Sequence, residues 1–216
     1  MTHTDRRVSA LLALHGRTFA AELGARISRN TPAPLFRLLC LANLSGAPVQ
    51  AAIAMRAAIA LADAGWTTPA KLAHSSWHAR VRVLNQAGYA RVDEKTATQL
   101  SAMVATLEQR YNGDLRRLRK AAGGDVGALR RALTGFKGIG DTGAAIFVRE
   151  MQIVWPECYP FVDRAAAKAA AALGLPQDPA GLASQVERVD FPRLVAALVR
   201  AGLARDFDAV RAAADR

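Results

Sequence analysis

Apolar residues recur along this chain at intervals of three and four, the spacing of one helix face, and nowhere alternate as a half-buried strand requires. Val8 to Leu23 reads as one amphipathic helix. Thr31-Pro32 opens a second, with Thr as N-cap and Pro in the first turn, where its missing N–H costs nothing; it runs through Leu35, Leu38, Leu39 and Ala42. Pro48 opens a third, to about Ala64, and Thr68-Pro69 repeats the cap chemistry before Leu72. Trp77 to Ala87 ends at Gly88, a residue suited to a helix C-terminus. Lys95 to Tyr111 carries Leu100, Met103, Val104 and Leu107 on one stripe. Leu115–Lys120 and Ala128–Leu133 are short helices separated by Gly123-Gly124-Asp125. Beyond them the pattern predicts helices at Thr142–Met151, Arg164–Leu173, Gly181–Val189 and Pro192–Ala214. The expected fold class is all-α, without internal repeats or a long low-complexity linker.

At 216 residues and 51% hydrophobic, the chain can bury a core as one or two domains. No apolar run reaches the roughly 18 residues that would span a bilayer. Met1 to Asp5 lacks a cleavable signal pattern, so a cytoplasmic, nucleoid-associated location is expected. Cys40 and Cys158 have no C-x-x-C partner and are expected as buried free thiols. Two cysteines cannot build a four-cysteine zinc or iron–sulfur site.

Charge changes the picture more than composition does. Lys and Arg number 29 against 18 Asp and Glu, a formal net charge of +11, which suits a polyanionic partner and is unnecessary for folding. Arg110, Arg116, Arg117, Arg119, Lys120, Arg130 and Arg131 lead into a glycine-bearing loop that itself holds Lys137. The alternative is that an Arg-rich, Ala-rich composition simply places solvated arginines on helix faces.

That loop belongs to the segment Phe136-Lys137-Gly138-Ile139-Gly140-Asp141-Thr142-Gly143-Ala144. Without a Cβ, Gly138 and Gly140 can take positive φ and let a phosphate approach the backbone. Ile139 between them would anchor the turn in the core. The helix from Asp141 starts with free N–H groups and a partial positive charge, a ready anion site. A tight helix–helix turn with a Schellman-type end reads much the same.

Hydrophobe-x-Gly-hydrophobe-Gly between helices, followed by Trp155-Pro156 and Phe161-Val162-Asp163-Arg164, resembles the helix-hairpin-helix DNA glycosylase superfamily, the relatives of endonuclease III. The resemblance covers roughly Pro34 to Pro176 and includes the Pro-initiated early helix and Gly88-Tyr89 with Lys95 beyond. It implies a six-helix barrel at 32–157 carrying the hairpin 136–144. It also implies a second helical subdomain from both chain ends, 1–31 and 158–216, holding a catalytic aspartate. The implied partner is double-stranded DNA with a lesion or mismatch, bound by a monomer. Lys137, Gly138, Ile139, Gly140, Asp141, Arg164, Lys95 and Ser45 are the implied DNA contacts. Asp163 is the implied catalytic carboxylate, because loss of the base leaves positive charge on the sugar that a carboxylate stabilises. Asp163 before Arg164-Ala165-Ala166 is equally an N-cap candidate, and both roles can hold together.

This chain departs from the family at three places. Members that also cleave the backbone carry a lysine where Thr142 stands, so the resemblance is to the monofunctional branch, with Thr142 at the site and no amine to trap the sugar. Residues 177–216 lack the cysteines of the iron–sulfur members, so no cofactor is expected beyond a monovalent cation at the hairpin. The side chain that would fill the gap left by a flipped base falls near Asn43-Leu44-Ser45-Gly46, where only short residues are available. His74 and His78 stand at i,i+4 around Trp77 without a third metal ligand and read as exposed helix residues. Tyr89 and Trp66 have the chemistry to stack on a base, although core packing explains each. Alternatives to a glycosylase are a non-catalytic DNA-binding protein on the same fold, and an enzyme with residual lyase chemistry through Lys137 or Lys95.

Overall fold

The computed structural model describes residues 3–216, with side chains from Arg6 onward, and every regular element among these residues is helical. Met1 and Thr2, which open the expected terminal subdomain, lie outside the described residues. The expected helix from Val8 to Leu23 is two, α1 (His3–His15) and α2 (Phe19–Glu22). The chain breaks at Gly16-Arg17-Thr18, where the Thr18 hydroxyl accepts the Ala21 N–H at 3.2 Å and restarts the helix. A polar cap inside an apolar stripe won over the stripe's continuity.

Next come α3 (Pro32–Leu44), α4 (Ala51–Asp63), α5 (Pro69–Ala73) and α6 (Trp77–Leu84). Pro48 does not open α4, whose N-cap is Gln50. A wide turn at Asn85–Tyr89, with Gly88 at φ 86°, leads to α7 (Asp93–Tyr111). Positive φ at Gly88 is the C-terminal signal read from the sequence. Then follow α8 (Leu115–Ala121), α9 (Val126–Thr134), α10 (Asp141–Met151) and α11 (Arg164–Ala172). The last three are α12 (Pro179–Ala183), α13 (Phe191–Ala204) and α14 (Phe207–Ala214). The expected Gly181–Val189 helix is therefore only the short α12. The expected Pro192–Ala214 helix divides at Arg205, which takes φ 57° and closes α13 with its own N–H on the Gly202 carbonyl.

Side-chain caps explain many of the starts. Thr68, Ser76, Asp114, Asp125, Asp163 and Asp178 each accept a backbone N–H from the first turn they precede. Thr31 occupies the N-cap position of α3 without making that bond, and Pro32 sets the start instead.

Two compact units divide the chain: residues 1–22 with 148–216, and residues 23–147. These divisions precede the expected ones before Pro32 and after Glu157, and the second falls inside α10. In the central unit α3 buries Leu35, Phe36, Leu38 and Leu39 completely, and α7 does the same with Leu100, Met103 and Leu107. The Tyr89 hydroxyl donates to the Leu44 carbonyl at 2.6 Å, and burial pushes this phenol up to about 12. In the terminal unit α13 is the axial helix, packed by α1 and α11, with α14 against α1. Leu11, Leu173, Leu194, Leu198 and Val210 form its core. Both cysteines are buried free thiols, and burial pushes Cys40 up to about 12, so it is unreactive. No described helix is long and apolar enough to cross a membrane.

Candidate functional site

The loop that joins α9 to α10 is built from the inside outward. Phe136 and Ile139 are buried at 1% and 4% exposure, and the Ile139 N–H returns to the Phe136 carbonyl at 3.1 Å. Two apolar anchors three apart thus fold the loop over its own base, with Tyr111 set against Phe136. Gly138 takes φ 89°, where a side chain is strained, and a Cβ there would lie 2.5 Å from Asn43 Nδ2. Asn43 occupies that space and donates its Nδ2 to the Lys137 carbonyl at 2.8 Å. Gly140 faces open space, with nothing within 4 Å of where its Cβ would be.

Among the described residues, neither the Gly138 nor the Gly140 amide makes a hydrogen bond. Lys137, Asp141 and Thr142 are exposed around these amides. Thr106, Thr134 and residues 135–140 line a shallow cleft of about 370 Å³. Loop amides, the free N–H groups at the start of α10 and one lysine therefore gather in one place, the equipment for holding an oxyanion. Asp141 is an exposed carboxylate in the same turn, so an anion meets less repulsion on the Gly138–Gly140 side.

Asp163 lies in the terminal unit, and both its oxygens are occupied. Oδ1 accepts the Ala166 N–H at 2.9 Å, making Asp163 the N-cap of α11. Oδ2 receives the Arg149 guanidinium at 2.5 Å. The two residues are exposed at only 8% and 3%. Arg149 also stacks over the Phe19 ring at 4.7 Å. Its Nε is ion-paired with Glu150 Oε1 at 3.6 Å, beyond hydrogen-bond reach, and neither atom has a hydrogen-bond partner among the described residues. Glu150 Oε2 accepts the Ala20 N–H at 2.8 Å. Burial pushes the Glu150 carboxyl above its ordinary range, opposed by Arg149 and by the Ala20 and Phe19 amides. Gln152 completes the support with two bonds to the Phe161 backbone, at 3.1 and 2.8 Å.

Asp163 as a helix cap was legible in the sequence; its arginine was not. The available signal is the run Arg149-Glu150-Met151-Gln152 at the end of a helix otherwise apolar from Ala144 to Val148. Polar side chains continuing a buried face require partners, and here the partners are Asp163, Ala20 and Phe161.

The remaining candidates fall apart into separate settings. Lys95 is exposed on α7, and Arg164 is exposed beside Asp163. Ser45 is the half-buried C-cap of α3, its N–H on the Leu41 carbonyl at 2.9 Å. Tyr89 is fully buried and cannot stack on a base, while Trp66 is half-buried. His74 and His78 are exposed, and the His74 ring bonds the Ala70 carbonyl at 2.6 Å. Of the basic cluster, Arg110, Arg117, Lys120 and Arg131 are exposed, and Arg116 is forked onto Asp114, whose carboxyl that bond holds below its ordinary range. The larger depression, about 620 Å³, lies in the terminal unit and is lined by Leu12, Leu14, Ile153, Val189 and Pro192 with Arg17 and Arg193. Thr18 also lines it, and no carboxylate, histidine or cysteine is among its lining residues. Comparison with protein-family models, curated proteins and solved structures finds no match.

Proposed function

We propose that the chain is a DNA-binding enzyme of the helix-hairpin-helix glycosylase kind, which hydrolyses the N-glycosidic bond of a flipped damaged or mismatched base. The observation that carries the DNA contact is the pair of unbonded amides at Gly138 and Gly140, set beside Lys137 and the first turn of α10. Backbone amides grip phosphate without reading sequence, which suits a protein that must slide over undamaged duplex. In this proposal Asp163 is the carboxylate that stabilises the sugar cation, and Thr142, in place of an amine, restricts the reaction to hydrolysis.

A second reading has an observation of its own. Arg149 neutralises Asp163 at 2.5 Å, and a carboxylate already paired stabilises a second cation poorly. A helix-hairpin-helix protein that binds DNA without cutting a bond would keep the pair for structure alone. The two readings part on one experiment: a panel of lesion- and mismatch-bearing duplexes incubated with the wild-type protein, each resolved with and without alkali. The glycosylase reading expects strands that break only after alkali, at one class of lesion. Binding to every duplex with no alkali-sensitive product would leave the non-catalytic role. Breaks without alkali would show that Lys137, Lys95 or another amine acts as a lyase nucleophile.

A further inference from the structure

Asn43 stands at the end of α3, exposed at only 1%. A trans peptide is planar, with its C=O and N–H on opposite sides. Fixing the Lys137 carbonyl through Asn43 Nδ2, at 2.8 Å, therefore fixes the direction of the next N–H, that of Gly138, which faces away from Asn43. Other close approaches lock the same corner. A Cβ on Gly46 would lie 2.8 Å from the Gly138 carbonyl, and one on Gly143 would lie 2.8 Å from the Ala42 carbonyl. The end of α3 and the loop 137–143 are thus built against each other at backbone distance.

Asn43 Oδ1, meanwhile, is buried with no partner among the described residues. Leaving a buried carbonyl oxygen unbonded is costly, so packing alone is a poor reason for a carboxamide at this position. What the carboxamide supplies, and no apolar side chain would, is the donor to Lys137.

We infer that Asn43 is a positioning residue for phosphate binding: it turns the Lys137–Gly138 peptide so that the Gly138 and Gly140 amides stand free for the DNA backbone, without itself touching DNA. The inference rests on the DNA-binding part of the proposal above. It also gives the end of α3 a task other than filling the gap left by a flipped base.

Asn43→Leu keeps the approximate volume and removes the donor that faces the Lys137 carbonyl. Gly138→Ala reaches the same peptide by placing a methyl 2.5 Å from Asn43 Nδ2. Each ¹⁵N-labelled protein is titrated with a short undamaged duplex, with affinity read by fluorescence anisotropy and folding by urea unfolding. In the wild type the Gly138 and Gly140 amide resonances are expected to move on adding duplex. In either folded variant those shifts should vanish and affinity should fall about tenfold, the loss of one well-placed hydrogen bond. The slope of log affinity against log salt should also drop by about 0.9, one phosphate contact. A folded variant with wild-type affinity and wild-type amide shifts overturns the role of Asn43. A wild type that binds no duplex overturns the DNA-binding reading itself, while wild-type binding without those two shifts overturns only the placement of the phosphate on this loop.

Discussion

Asp163 and Arg149 show how one buried contact can redefine a candidate residue. With exposures of 8% and 3%, each compensates a buried charge of the other, and Arg149 is also ion-paired with Glu150. Asp163→Asn leaves the guanidinium with only the more distant Glu150 and Arg149→Met leaves the Asp163 carboxylate unpaired, so each single change should cost up to about 3–5 kcal/mol. The double variant strands neither charge and should lose clearly less than the sum, a coupling that urea unfolding of all four proteins measures directly. Purely additive losses would mean the pair is not formed in solution. Loss of turnover in Asp163→Asn alone therefore proves nothing about chemistry unless the variant is shown to be folded. The capping half of this contact is local, three residues along the chain, and could be read from Asp163-Arg164-Ala165-Ala166. The arginine half reaches back 14 positions across a 3₁₀ turn and a bend, and no periodicity encodes it.

Among the elements, α10 carries the most. Its first turn presents amides to solvent, and its last turn buries Arg149 and Glu150, with Gln152 buried just beyond it. Glu150 supplies a testable pH dependence. Because burial raises its carboxyl, the folded protein holds this proton to a higher pH than the unfolded chain does. Its contribution to stability is complete below the ordinary carboxylate range, near pH 4, and is lost as pH rises through the raised folded value. Asp114, held low by Arg116, acts in the opposite sense: its contribution is present above the ordinary range and lost as pH falls through the depressed value. Glu150→Gln should therefore remove a decline with rising pH while leaving the acid-side loss in place. Urea unfolding from about pH 2 to 7 checks this, and a wild type and variant with parallel profiles would rule it out. Element ends were legible where a cap or a proline sets them, as at Pro32 and Thr68, whereas the Asp125 cap starts α9 two residues before the expected Ala128. They were misread at residues 16–18 and at Arg205, where the apolar stripe runs on through a break and the chain re-caps or turns left-handed instead.

For the whole molecule, a net charge of +11 makes the proposed association with DNA depend on counterion release. Affinity for undamaged duplex should fall steeply between 50 and 200 mM salt, by about 0.9 log units per log unit of salt for each phosphate contacted. Charge reversal at Arg117 and Lys120, both exposed, should reduce that slope without changing any preference among duplex sequences. A slope near zero would remove nucleic acid as the partner. Helix class, most helix starts and the conspicuous loop 136–144 were determined by the sequence itself, because spacing, caps and glycines act within one turn of chain. Only the tertiary structure could decide that Asn43 lies beneath Gly138, 94 positions from the carbonyl it holds, and that Arg149 occupies the second oxygen of Asp163. Such contacts depend on which helices pack together, and a pattern of apolar positions specifies that a face is buried without naming what it meets.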